Sequence, residues 1–343
     1  MRRSAFVLTI TTISALLLPA GAVAGPGSEP DDEGPLGGPA APEDYSYVQK
    51  SAPGIGIPRD AYASAAAQAL ALPATGRQWR LIGPSNIGGR ITSVALDPLH
   101  DGTLYVAAAS GGIWKSTDAG QTFAPAWPEL STQAMGAVAT APDGTVYAGT
   151  GEPNPGGGSV TYEGTGLYVS RDGGSSWKPS GLRESGAISA ITIDPRDPRR
   201  MFVAAAGSLY NGGGDRGVYR SLDAGRTWTQ VLAGANEFTG ATEVMLDPRD
   251  GNRMYAVLWD HRRKPNLRQY GGVGSGVFRS TDGGTTWQRL DSLVASGPAV
   301  GRIGLGLAPG QPDRLYAILS RGSTGAGAFD GFYRSDDGGD TWT

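Results

Sequence analysis

The amino-acid sequence predicts an all-β protein, a β-propeller built from four-stranded blades, and three observations carry that expectation. One eight-residue turn pattern recurs five times at near-constant spacing. Short runs of β-branched and aromatic residues precede each copy, as strands require. Glycine is abundant, with 55 copies in 343 residues, while cysteine is absent, so many tight turns must be held by burial and hydrogen bonds without disulfides.

The chain opens with Arg2 and Arg3, an apolar stretch from Ala5 to Leu18, then Pro19 and the small-residue run Ala22-Val23-Ala24. That order is the pattern of an export leader occupying residues 1–24, with cleavage after Ala24 and a secreted or periplasmic destination. The apolar stretch is too short for a membrane span, and no later segment is apolar enough, so no stable membrane span is expected once the leader is removed. Residues 25–78 form a Pro-, Gly- and Ala-rich linker. Its first part, Gly25 to Asp44, cannot bury enough apolar surface to order itself and is expected to be a flexible tether. Its later part, Asp60 to Leu72, is Ala-rich between Pro58 and Pro73 and predicts a short helix.

The repeats occupy residues 79–343. Their shared pattern, S-x-D-x-G-x-(S/T)-(W/F), occurs at Ser116–Phe123, Ser170–Trp177, Ser221–Trp228, Ser280–Trp287 and Ser335–Trp342. Its aspartates, Asp118, Asp172, Asp223, Asp282 and Asp337, lie 54, 51, 59 and 55 residues apart, enough for a blade of roughly 40–45 residues with extended loops. An inner strand such as ITSVAL, ITI or VML ends each time at an Asp-Pro turn: Asp97-Pro98, Asp194-Pro195 and Asp247-Pro248. A second strand follows (LYVAA, VYAGT, MFVAA, MYAVL, LYAIL), and a third (GIWKS, GLYVS, GVYRS, GVFRS, GFYRS) runs into the turn motif. Five spaced aspartates invite a catalytic or metal reading, but turn chemistry explains them. Asp accepts hydrogen bonds from turn N–H groups and from the Ser or Thr hydroxyl, Gly supplies the positive φ, and the Trp packs under the turn.

These residues resemble the Asp-box, or BNR, repeats of sialidases, sortilin-type ectodomains, xyloglucan-cleaving glycoside hydrolases and photosystem assembly factors. The resemblance covers Trp79 to Thr343 and implies the propeller fold. It is not specific for function, because those families share only the propeller. It also implies a ligand site at the mouth of the central channel, on the face opposite the Asp boxes.

On that face run the loops between second and third strands, and there the repeats stop agreeing. The second repeat carries GEPNPGGGSVTYEGT (Gly151–Thr165), the third SLYNGGGDR (Ser208–Arg216), and the fourth DHRRKPNLRQYGGVGS (Asp260–Ser275). Aromatic rings beside carboxylates and amides suit a sugar or a peptide, ring faces meeting apolar surface and polar groups meeting hydroxyls or amides. The candidate ligand-binding residues are Asn154, Tyr162, Tyr210, Trp259 and His261, with Arg90 and Arg302. Those two arginines stand in the matching segments Gly89-Arg90-Ile91 and Gly301-Arg302-Ile303 near the channel mouth. Each arginine either grips a ligand carboxylate or phosphate or pairs with a neighbouring loop acid.

Glu152, Glu163 and Asp260 are the candidate catalytic carboxyls if the protein is a glycoside hydrolase, a chemistry that needs two carboxyl groups at a defined separation. Other signatures argue against catalysis. The F/Y-R-I-P segment of sialidases is absent. Ala109 stands where the resemblance to xyloglucan-cleaving enzymes expects an Asp before Gly111-Gly112. No G-x-S-x-G, G-x-x-x-x-G-K or H-E-x-x-H occurs. With no cysteine and only His100 and His261, no metal site is expected, and no cofactor. Net charge is −3, or −5 without the leader arginines, which disfavours nucleic acid as a partner. The expected role is therefore a binding module for a glycan, a peptide or a partner protein, with a glycoside hydrolase as the alternative.

Gln78–Leu81 matches the register of a fourth strand, and Thr341–Thr343 stops where the last fourth strand would begin. Two arrangements follow: a five-bladed ring closed by the N-terminal strand, or the front of a larger ring of six or more blades. The second is the expectation, because an open arc leaves unpaired edges and apolar flanks for further blades to cover.

Overall fold

The computed structural model describes residues 56–58, 61–73 and 90–343, apart from 129–131, 155–161, 265–266, 295–296, 298–299 and 323–327. The leader, the Gly25–Asp44 tether and the strand expected at Gln78–Leu81 lie outside the described residues. The Ala-rich segment forms helix α1, Ala61–Ala71.

Every repeat becomes one antiparallel sheet, its strands paired in chain order. Blade 1 comprises β1 (Ile91–Leu96), β2 (Leu104–Ala108), β3 (Gly112–Ser116) and β4 (Ala124–Pro125). Blade 2 comprises β5 (Met135–Thr140), β6 (Val146–Thr150), β7 (Leu167–Ser170) and β8 (Lys178–Pro179). Blade 3 comprises β9 (Ile188–Ile193), β10 (Met201–Ala205), β11 (Gly217–Ser221) and β12 (Thr229–Leu232). Blade 4 starts with β13 (Thr239–Leu246) and β14 (Met254–Asp260), inserts a small hairpin of β15 (Arg262–Lys264) and β16 (Leu267–Gln269), and ends with β17 (Gly276–Ser280) and β18 (Gln288–Arg289). Blade 5 comprises β19 (Val300–Leu307), β20 (Leu315–Arg321) and β21 (Ala328–Ser335), and Thr343 exchanges two 2.9 Å backbone bonds with Arg334 where a fourth strand would run.

The core is divided among the contacts between neighbouring blades. The second residue of each second strand is aromatic: Tyr105, Tyr147, Phe202, Tyr255 and Tyr316. The first four are at most 1% exposed, each in the cluster shared with the following blade. Tyr316 stacks instead on Phe332 of its own blade, beside exposed Ile318. The inner strands also bond directly to one another. Thr92 Oγ1 donates to Met135 O (3.0 Å) and Thr192 Oγ1 to Val244 O (2.6 Å), so hydroxyls on one inner strand satisfy carbonyls on the next.

The Asp-box chemistry is as the sequence predicts. In blade 3, Ser221 Oγ donates to Asp223 Oδ1 (2.8 Å), and Thr227 donates its N–H to Oδ1 (2.9 Å) and its hydroxyl to Oδ2 (2.6 Å). Ser221 Oγ also accepts the Gly225 N–H (2.8 Å). Each box shares a face with the turn between first and second strands of its own blade. Ala119 N donates to Gly102 O and Gly283 N to Asn252 O at 2.8 and 2.9 Å.

The structure adds a second duty, joining the boxes of blades 2 to 5 to the blade before each. Trp177 Nε1 donates to Ala126 O (2.7 Å) and Trp228 Nε1 to Ser180 O (2.8 Å), so these rings do more than fill their own turns. Lys115 Nζ and Arg279 Nη1 donate to the box carbonyls of Gly173 and Gly338 in the following blades (3.1 and 3.0 Å). The preceding blade's aromatic also closes on the box glycine. A Cβ at Gly284 would stand 2.9 Å from Phe202 Cε1, so this position needs glycine for space as well as for its φ of +82°.

Candidate functional site

On the face opposite the Asp boxes, the loops between second and third strands of blades 2 and 3 meet the end of β14 in blade 4. Together they form a small cleft lined by Glu152, Pro153, Tyr162, Glu163, Leu209 and His261, with Gly186, Ala187 and Gly207 beside them. Close backbone approach explains the glycines there: a Cβ on Gly186 would meet Ser208 N at 2.4 Å.

The carboxyls in the cleft are held by protein donors. Glu152 is almost wholly buried. Its Oε2 lies 3.0 Å from Arg90 Nη2 and its Oε1 accepts the Asn154 N–H at 2.8 Å. Arg90 also reaches Asn154 O (3.5 Å), and Arg302 Nη1 reaches Pro153 O (3.4 Å). The two arginines thus converge on one strap of chain from blades 1 and 5, and the strand register agrees: Ile91 opposes Ala108 as Ile303 opposes Leu319. Glu163, 5% exposed, accepts the Ser208 hydroxyl. His261 is buried and stacks on Trp259, centroids 4.3 Å apart and planes 15° apart. Burial, with the nearby Arg216 charge, pushes its pKa down to about 3, so it stays neutral at physiological pH.

A chain that folds into Asp-box blades and gathers its variable loops on the opposite face can be set beside known proteins. A family model for sortilin and Vps10 domains, described as sortilin, neurotensin receptor 3, matches residues 165–296. A xyloglucanase of Acetivibrio thermocellus is 25% identical over 252 residues, covering 63% of this chain and 28% of its own length. One from Hypocrea jecorina is 26% identical over 267 residues, covering 76% and 26%. Among solved structures, the GH74 xyloglucanase from Xanthomonas campestris superimposes with a TM-score of 0.53 at 22% identity, over 74% of this chain and 38% of that one. This chain is an Asp-box propeller similar to those of the sortilin and xyloglucanase proteins. The propeller spans less than a third of the length of these curated relatives.

Of the residues the sequence singled out, Glu152, Tyr162, Glu163 and His261 line the cleft, with Arg90, Asn154 and Arg302 bracing its wall through Glu152 and Pro153. Asp260 is not part of that lining. It is 3% exposed and accepts a 2.7 Å bond from Asn236 Nδ2. Trp259 is 2% exposed, its ring covered by His261 and by the Arg302 guanidinium 5.3 Å from its centroid, and its Nε1 donates to Tyr270 O (2.9 Å). Tyr210 is buried beside the cleft with Leu209 and Ile57.

Three further residues were not singled out in the sequence, two that shape this face and one in the wall between inner strands. Arg216, 4% exposed, donates to the carbonyls of Ala206 (2.8 Å), Ser208, Asn211 (2.6 Å), Gly213 (3.1 Å) and Phe238 (3.0 Å), setting the blade 3 loop around one guanidinium. Ser208 joins that loop to Glu163. Glu243 lies on inner strand β13 and accepts the Leu305 N–H of β19 (2.9 Å). Burial pushes its pKa up to about 7 against the opposing pull of that N–H and of Arg302. A charged residue within the apolar strand TGATEVML was the available signal for Glu243. Arg216 and Ser208 carried none. Among the described residues no helix is long and apolar enough to cross a membrane.

Proposed function

We propose that the protein is an exported binding propeller that takes a polar ligand, a glycan or a peptide, in the cleft between blades 2, 3 and 4. The observation that carries this reading is how the cleft carboxyls are committed. Glu152 is neutralised by Arg90 and the Asn154 N–H, and Glu163 holds the Ser208 hydroxyl. The third candidate acid, Asp260, is held by Asn236. Glycoside hydrolysis needs a proton-donating acid and a second carboxylate free to act on the anomeric carbon or on water. A recognition site needs fixed acceptors, such as these, with an accessible ring, which Tyr162 supplies at 44% exposure.

The similarity to xyloglucanases supports the second reading, hydrolysis of a β-glucan. Both readings meet in one experiment: titrating plant and microbial glycans and peptides against the protein while assaying the released reducing ends. A binding module holds a ligand without releasing ends, and Tyr162→Ala weakens it at least tenfold. Reducing ends that appear with the unaltered protein and vanish in Glu152→Gln or Glu163→Gln would establish the hydrolase instead. Export is checked separately, by N-terminal sequencing of the secreted form. A start at Gly25 is expected, and a start at Met1 would overturn it.

A further inference from the structure

Next to the cleft, a segment far from the blades in sequence is seated on the loop face. Ile57 is 3% exposed, packed against Leu209 and Tyr210 with Tyr270 and Ala61 alongside, whereas its neighbours Gly56 and Pro58 are exposed. Asn211 Nδ2 donates to the Ile57 carbonyl at 2.8 Å. One aliphatic side chain in an apolar pocket and one backbone carbonyl read by an amide is how a protein holds an extended peptide. Pro58 favours the extended conformation at Ile57 that leaves its carbonyl open to such a donor.

The receiving side is built independently of Ile57. Ser208 Oγ accepts the Tyr210 and Asn211 N–H groups at 3.1 and 3.0 Å, and Arg216 grips the Asn211 carbonyl at 2.6 Å. Arg263, on the inserted hairpin, donates its N–H to Leu209 O at 2.7 Å. Arg263 is 6% exposed, yet among the described residues its Nη2 meets no acceptor, a spare donor on the element that flanks the pocket. The pocket is therefore shaped by loop-internal bonds, with its occupant added on top.

We propose that Leu209, Tyr210, Asn211 and Tyr270 form a subsite for an aliphatic residue of an extended peptide, and that the chain's own Gly56-Ile57-Pro58 segment occupies it in cis as a displaceable ligand. The occupant is this named segment, and a peptide of the same chemistry competes with it. A tethered occupant acts at an effective concentration of about millimolar, so a free peptide binds the intact protein weakly until the cis segment is removed. This subsite borders the cleft, sharing Leu209 with its lining, and its assignment does not depend on what the cleft binds.

The test uses a fluorescent peptide with the sequence of residues 54–60, GIGIPRD. In the full chain, Ile57→Asp empties the pocket, and the peptide binds at least tenfold tighter than to the unaltered protein. Adding Asn211→Ala or Tyr210→Ala to Ile57→Asp removes that gain. Circular dichroism establishes that the variants are folded. A second form, with a specific protease site inserted after Pro73, keeps the test decisive should Ile57→Asp fail to fold. Cleavage makes the segment exchangeable, and excess peptide releases it. Equal peptide binding by Ile57→Asp and the unaltered protein, or a cleaved segment that no peptide displaces, overturns the proposal and leaves Ile57 as core packing. Neither result bears on glycan or peptide uptake by the cleft, which Tyr162→Ala reports.

Discussion

The two faces of this propeller are built on opposite plans. On the Asp-box face the same side chains make the same bonds blade after blade: Ser Oγ to Asp at 2.7 to 2.8 Å, and the box Ser or Thr hydroxyl back to the same carboxylate. On the loop face the connections between second and third strands differ from blade to blade. Blade 2 offers Glu152 and Glu163, blade 3 wraps its loop round Arg216, and blade 4 inserts a hairpin. Repetition marks what every blade needs in order to stand against its neighbour. Divergence marks the loops that blade-to-blade packing leaves free to differ.

The largest effect expected on the repeated face separates a box seated on a preceding blade from one with no such seat among the described residues. Gly284→Ala in blade 4 forces a left-handed residue and drives Cβ to 2.9 Å from Phe202, and should cost about 4 kcal/mol. Gly120→Ala in blade 1 has an equally positive φ, but its nearest distant atom is Leu104 Cδ2 at 3.8 Å, so only the backbone term of about 1–2 kcal/mol applies. Denaturant unfolding of both variants checks this. Equal losses would mean that the contact between blades contributes nothing.

Next in size is Glu243, which belongs to neither plan, being a carboxyl in the wall between two inner strands. With its folded pKa raised from 4.5 to about 7, the native state keeps a proton that the unfolded chain has released. Stability therefore falls as pH rises from about 4.5 to 7 and levels off above, a change on the order of 3 kcal/mol. Glu243→Gln, still able to accept the Leu305 N–H, should flatten that slope. An unchanged slope would remove Glu243 from the account. Smaller again is Ser221→Ala, which strands the buried Gly225 N–H and removes a donor from Asp223. About 2 kcal/mol should be lost, with ligand uptake on the opposite face unaltered. Weaker uptake at an unchanged melting temperature would break the division of labour between the faces.

How legible each face was in the sequence follows from the reach of its bonds. Ser221, Asp223, Gly225 and Thr227 bond within a few residues of one another, so spacing alone revealed both their geometry and their structural purpose. The tryptophans were legible only by half, because their acceptors lie 48 and 51 residues away on another blade. Glu152, Tyr162, Glu163 and His261 were legible as residue types in unequal insertions. Their convergence was not, since it depends on how three blades lean together. Ile57 was opaque for the same reason: its partner Asn211 is 154 residues distant, and an isoleucine among glycines and prolines looks like linker. Asp260 and Trp259 looked accessible because they open an insertion, yet β14 extends through both and buries them.

The smallest expected effect concerns acid, where the two faces should again part. The box carboxyls of Asp118, Asp172, Asp223 and Asp337 are each pulled down to about 2, first by the hydroxyl of Thr122, Ser176, Thr227 or Thr341 and then by its backbone N–H. A depressed carboxyl contributes stability that is complete above its ordinary value of 3.8 and disappears as pH falls through the folded one. The boxes should therefore hold at pH 4 and loosen between about pH 3.8 and 2, each by a small amount because these carboxylates face solvent. Thr227→Val deletes the hydroxyl that does most to hold Asp223 down, so the loss in blade 3 should begin at higher pH while the other blades keep their profile. Hydrogen exchange resolved by blade across that range is the measurement, because global melting would average five boxes into one curve. If the blade 3 profile does not move in Thr227→Val, the hydroxyl is not what sets the Asp223 charge, and the five-fold repetition of that contact would need another cause.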